Sequence, residues 1–161
     1  MKEKRNTIKD PSQKVYRECI EALCDWCESN DISVNLFSSS HGYDPDTHEI
    51  TLHHGSAGTW LHIVTLIHEI GHAVQPNSAF HSLRKSVKRD KAIIIEMEYT
   101  AWQCGWDVVK SLRLNTSDLW YHYSRAWMTY WSAYIQHVYV QEQHEVYSSI
   151  YIERPGYTDY P

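Results

Sequence analysis

Trp60-Leu61-His62-Ile63-Val64-Thr65-Leu66-Ile67-His68-Glu69-Ile70-Gly71-His72-Ala73-Val74-Gln75-Pro76 is the stretch on which the reading turns. Trp60, Ile63, Ile67 and Ile70 recur at helical spacing and Pro76 stops the run, so a helix is expected over about 59–75. Inside it lies His68-Glu69-Ile70-Gly71-His72, a match to the H-E-x-x-H pattern. Residues four apart stand one above the other on a helix face, so two imidazoles can reach one Zn²⁺ at about 2.0–2.1 Å. Glu69 is turned about 100° from His68, poorly placed as a ligand but able to take a proton from a water on the metal. Eleven histidines in the chain raise the chance of an accidental match. Against that, the histidines are not needed for the apolar stripe, and the run Leu61–Ile67 buries the helix instead of leaving it on a wet surface.

Working outward, Ile50 and Leu52 alternate with polar neighbours in Glu49–His53, which reads as a short strand. Its shortness and its polar second face place it near a sheet edge, with an edge free for an extended peptide. Ile32, Val34 and Leu36 alternate in the same way and mark an earlier strand over 32–37. Ahead of it, Asp10-Pro11 signals a helix start, and Tyr16, Cys19, Ile20, Leu23 and Cys27 mark the inner face of a helix over about 12–29. Residues 38–46 and 76–88 read as loops. A helix follows over about 89–112, then a break and cap at Asn115-Thr116-Ser117-Asp118. A long final helix carries Trp120, Tyr123, Trp127, Tyr130, Trp131, Tyr134 and Val138 on one face. Residues 1–9 read as a loose arm and 153–161 as an irregular tail. The fold class is α+β, helix-dominated, with one domain over residues 1–161.

Composition excludes several classes. A net charge of −5 argues against nucleic acid as a direct ligand. No apolar run approaches the roughly 20 residues of a membrane helix, and the charged start Met1–Thr7 has no apolar stretch behind it, which points to the cytoplasm. Cys24-x-x-Cys27 has no second pair to complete a zinc site, so Cys19, Cys24, Cys27 and Cys104 read as buried thiols. Arg84, Lys85, Lys88, Arg89 and Lys91 form a basic cluster. Its plain reading is a solvated loop and helix start; its functional reading is a docking loop over 84–91 for an acidic or nucleic-acid-bound partner.

A catalytic zinc keeps three protein ligands and one open position. Candidates for the third are Glu98, Glu96 and His81. Glu98 falls within the apolar stripe Ile94, Ile95, Ala101, Trp102, Gly105, Val108 and Val109, where a carboxylate is costly unless a cation neutralises it. Glu96 shares a more polar face with Tyr99, Thr100 and Gln103. His81 lies in a loop, nine residues past His72, outside the short spacing of enzymes whose third ligand is a histidine. Glu98 ranks first on this ground.

The pair His68-Glu69-Ile70-Gly71-His72-Ala73 and Glu96-Met97-Glu98-Tyr99-Thr100-Ala101-Trp102 resembles the ImmA/IrrE family of small zinc metallopeptidases. The likeness spans about residues 32–110. It implies a gluzincin-like (zincin-like) domain with a small sheet before the H-E-x-x-H helix, a zinc ion on His68, His72 and Glu98, and Glu69 as general base. The implied substrate is a peptide bond in a protein, of the regulatory or repressor kind. Tyr99, Thr100 and Gln103 depart from the family's later motif, and the aromatic C-terminal helix is not part of its pattern. An oxyanion-stabilising tyrosine or histidine is expected, with Tyr121, His122 and Tyr123 as candidates. The competing reading is a gluzincin-fold binding or inhibitor protein that keeps the metal without peptidase activity, with exposed aromatics of the last helix as its interface.

Overall fold

The structure, a computed structural model, describes residues 9–76 and 91–145, with stretches 91–95 and 134–145 as backbone alone. The expected arm up to residue 8, the tail, the basic loop up to residue 90 and His81 lie outside those residues. The described chain is mixed α+β and mostly helical: α1 (Gln13–Ser29), β1 (Ser33–Ser38), β2 (Gly42–Asp44), β3 (Glu49–His53), α2 (Trp60–Val74), α3 (Lys91–Ser111) and α4 (Ser117–Glu145).

Helix α1 starts two residues later than Asp10-Pro11 suggests. Ser12 is its cap, its hydroxyl accepting from the Val15 amide at 3.3 Å and satisfying one of the orphan donors of the first turn. At the other end Asp31 takes a left-handed φ of 58°. The Asp31 amide then donates to Glu28 and the Ile32 amide to Cys27, a Schellman closure that turns the chain straight into β1. Cys19, Ile20, Leu23 and Cys27 are buried beneath it, and all four cysteines are free thiols.

The sheet order is β1-β3-β2. Strand β1 runs parallel to β3, with Val34 opposite Ile50, and β2 runs antiparallel to it, with Tyr43 opposite Ile50. This corrects the expectation for 49–53: β3 is the central strand and both its edges are paired. Shortness and a polar second face describe an edge strand, but which strand is central depends on what pairs with it. Here the missing partner is β2, three residues inside a stretch read as loop. Ile50, Leu52 and Tyr43 are buried on the inner face.

Helix α2 runs through the middle of the molecule. Thr59 caps it, accepting from the His62 amide, and Trp60, Ile63, Val64, Leu66, Ile67, Ile70 and Gly71 are buried along it, together with His62, His68 and Glu69. Each fully buried Ile or Leu here contributes on the order of 1.5–3 kcal/mol. Helix α3 makes the largest contact with α2 of any pair of elements. Glycines make it close: a Cβ on Gly71 would sit 1.8 Å from the Ala101 carbonyl oxygen, and one on Gly105 would sit 2.3 Å from the Ile67 carbonyl oxygen. Helix α4 then covers both. Buried Tyr123 donates its hydroxyl to the Trp102 carbonyl, and Trp102 stacks on Trp127 at 6.1 Å. Among the described residues no helix is long and apolar enough to cross a membrane.

Candidate metal centre

The crossing of α2 and α3 brings His68, His72 and Glu98 together. His68 and His72 stand one turn apart on α2, and Glu98 reaches them from α3, one turn before the Ala101 contact. Their inward atoms form a nearly equilateral triangle. His68 Nε2 and His72 Nε2 are 3.1 Å apart, and Glu98 Oε2 is 3.3 Å from the first and 3.4 Å from the second. Tetrahedral coordination with bonds of about 2.0–2.1 Å requires donor atoms about 3.3–3.4 Å apart. The two Glu98 sides match that requirement, and the His68–His72 side is about 0.2 Å short of it. Two imidazole nitrogens and one carboxylate oxygen are also a donor set for zinc-like ions, not for calcium or magnesium, which take oxygen. These three are a group able to hold a metal ion among the described residues.

Glu98 and the two imidazoles are electrostatically coupled. Burial pushes the Glu98 carboxyl up, but hydrogen bonding and charge from both imidazoles overcome this and hold it well below the usual carboxylate range. Burial holds His68 below the ordinary histidine value, only partly offset by Glu98; His72 and His41 push it further down.

Around the triangle the two imidazoles are held by different means. His68 is packed: its ring stacks on Trp102 at 4.2 Å and 27°, and Tyr130 stands 5.6 Å away. Its Nδ1 is buried and makes no hydrogen bond among the described residues. His72 is met on its outer side by the side-chain amide of Gln75, with Gln75 Nε2 3.4 Å from His72 Nδ1. Glu69 is buried on α2, only 6% exposed, beside His68 in the chain.

The other expected residues go elsewhere. Glu96 is exposed, and the structure does not bring it to the triangle. The Tyr123 hydroxyl is committed to the Trp102 carbonyl, and burial raises its pKa well above 10. His122 stacks on Trp60 at 4.7 Å, and the exposed Tyr121 accepts from Arg125. The tyrosine that does approach His68 is Tyr130, two turns further along α4. Its place on the aromatic face of the last helix was visible in the sequence; that this face meets His68 depends on how α4 crosses α2. Gln75 was likewise visible, three residues past His72 and so on the same helical side.

No protein-family model, curated protein or solved structure matches the chain.

Proposed function

We propose that this chain is a zinc-dependent peptidase of the zincin type, hydrolysing a peptide bond in a protein substrate of the regulatory or repressor kind. The observation that carries the reading is the donor triangle, with sides of 3.1, 3.3 and 3.4 Å, on a buried helix that also carries Glu69 between its two histidines. The resemblance of the two motifs to the ImmA/IrrE family supports the same assignment.

A bound zinc ion supplies Lewis acidity, polarising a carbonyl and making water acidic near neutral pH. Glu69 accepts the proton of the attacking water at a carboxylate oxygen and hands it to the departing amide nitrogen. Its burial removes the solvent that would screen the exchange. Tyr130 supplies a donor to the oxygen on which negative charge develops. Among the described residues, an extended peptide has only the outer edges of β1 and β2 to pair with in this sheet. Of these, β2 packs against α2, so we assign it the role first given to β3.

The competing binding-protein reading drew on an exposed aromatic face. Tyr123 and Trp127 are buried and Trp120 and Trp131 are half-buried against the core, whereas Tyr130 is 37% exposed, so among the described residues that support is reduced. The test is metal content by mass spectrometry together with digestion of an unstructured protein by wild type and Glu69→Gln. One zinc per chain in both, with cleavage by wild type alone, is the expected result. Cleavage at full rate by E69Q would exclude Glu69 as the general base, and a wild type that takes up no zinc would remove the enzyme reading altogether.

A further inference from the structure

Gln75 closes α2. Its backbone amide donates to the Gly71 carbonyl at 3.0 Å, so the residue sits directly after the turn that carries His72. Its side chain lies against the outer nitrogen of His72, with Nε2 3.4 Å from Nδ1, while Oε1 is buried and makes no hydrogen bond among the described residues. That arrangement is unfavourable on one count and incompatible with a metal on the other. A buried amide oxygen without a partner is costly. An imidazole that gives its Nε2 lone pair to a metal carries its proton on Nδ1, and an N–H facing an NH₂ group cannot form a hydrogen bond.

A half-turn about the terminal bond of Gln75 removes the mismatch with His72. It exchanges the two ends of the amide, so that Oε1 accepts from His72 Nδ1–H and the NH₂ group takes the other position. Both orientations occupy nearly the same volume, and the surrounding hydrogen bonds select between them. We propose that Gln75 is the positioning residue of the metal centre: as acceptor for His72 Nδ1–H, it fixes the tautomer and ring angle that aim Nε2 at the triangle. This rests on the metal-site reading above. It also explains why the two imidazoles differ in their surroundings. His68 is clamped between aromatic rings and is oriented by packing, whereas His72, at the end of the helix, is oriented by a hydrogen bond.

The experiment measures zinc affinity by competition with a chromophoric chelator for wild type, Gln75→Leu and Gln75→Glu. Thermal unfolding of the metal-free forms checks that all three fold. Leucine keeps the bulk and removes the acceptor; its affinity should fall about 10- to 100-fold, the usual cost of losing an outer partner of a histidine ligand. Glutamate at neutral pH can only accept, so Q75E should bind at least as tightly as wild type. Because added negative charge alone also favours a cation, a second readout is needed. Proton–nitrogen correlation spectra of the zinc-loaded proteins should show the His72 Nδ1 proton protected from exchange in wild type and Q75E, and exchange-broadened in Q75L. Wild-type affinity in Q75L, or a His72 proton that exchanges rapidly in wild type and Q75E, would overturn the proposal while leaving the metal site standing. A wild type that binds no zinc would overturn both.

Discussion

Gly71→Ala tests the geometry on which the whole centre depends. A Cβ there would stand 1.8 Å from the Ala101 oxygen, 2.6 Å from the Ala101 carbonyl carbon and 3.0 Å from the Gly105 nitrogen. Contacts under 3.0 Å are essentially never made by a real Cβ, so α3 must retreat by about 1.2 Å at least, and the obstacle is backbone, which no rotamer change relieves. Overpacking of this kind costs about 1–3 kcal/mol, with the upper end expected for a backbone clash. Alanine's better helix propensity returns about 1 kcal/mol. The net loss is then about 2 kcal/mol, or roughly 4–8 °C in the Tm of a chain this size. The larger effect falls on the metal. Glu98 moves with α3, so the 3.3 and 3.4 Å sides of the triangle open by about the same retreat, past the roughly 3.3–3.4 Å that tetrahedral coordination permits. Zinc affinity should drop by more than the roughly 10- to 100-fold typical of an outer-partner loss. The assay pairs thermal unfolding of the metal-free protein with chelator competition. A variant with unchanged or raised Tm and wild-type zinc affinity would refute the close crossing and, with it, the placement of Glu98.

Glu98→Ala should abolish stoichiometric zinc binding and Glu96→Ala should leave it intact, read by metal analysis after dialysis; the reverse result would transfer the ligand role to Glu96. Tyr130→Phe should lower kcat by about 10²–10³ with zinc content unchanged, and steady-state kinetics on a cleavable peptide will show whether the loss is in kcat or only in KM. His62 is fully buried, its Nδ1 2.5 Å from the Tyr16 hydroxyl, and burial holds its pKa below 6.5. The folded state therefore binds fewer protons than the unfolded chain below that value, so stability present above pH 6.5 should drain away as the pH falls through the lowered pKa. Denaturant unfolding of the metal-free protein should show this slope, and His62→Gln should make it shallower, the remainder coming from groups such as His68 and Glu98.

Much of the fold could be read along the chain because α1, α2, α3 and α4 carry a 3.6-residue period and β1 and β3 carry a two-residue one. What could not be read was pairing. Gly42-Tyr43-Asp44 has too few residues to show a period, and its neighbours Pro45 and Asp46 are turn-formers, so β2 was hidden and β3 was taken for an edge. The α1 cap moved from Asp10 to Ser12 because either residue type can cap, and only the register of the first turn selects one. In the site, His68 and His72 were legible because their relation lies within one helix. Tyr130 and Gln75 were not, because a ring seven residues past the expected tyrosines and an amide at a helix end acquire meaning only when another element faces them.

The choice of Glu98 over Glu96 shows where sequence and structure meet. Gly105 touches α2, and Glu98 lies seven residues before it, two turns along α3 and only about 20° off the same line. Glu96 lies nine residues before Gly105, about 180° away, on the opposite side of the helix. The glycine that lets α3 approach α2 therefore also determines which glutamate faces the two histidines. Gly71 plays the matching part on α2. It occupies a position that the H-E-x-x-H pattern leaves open, yet any larger residue there would push Glu98 away from the two histidines. Paired glycines within two apolar helices were a signal available from the sequence alone, pointing to the crossing and through it to the carboxylate.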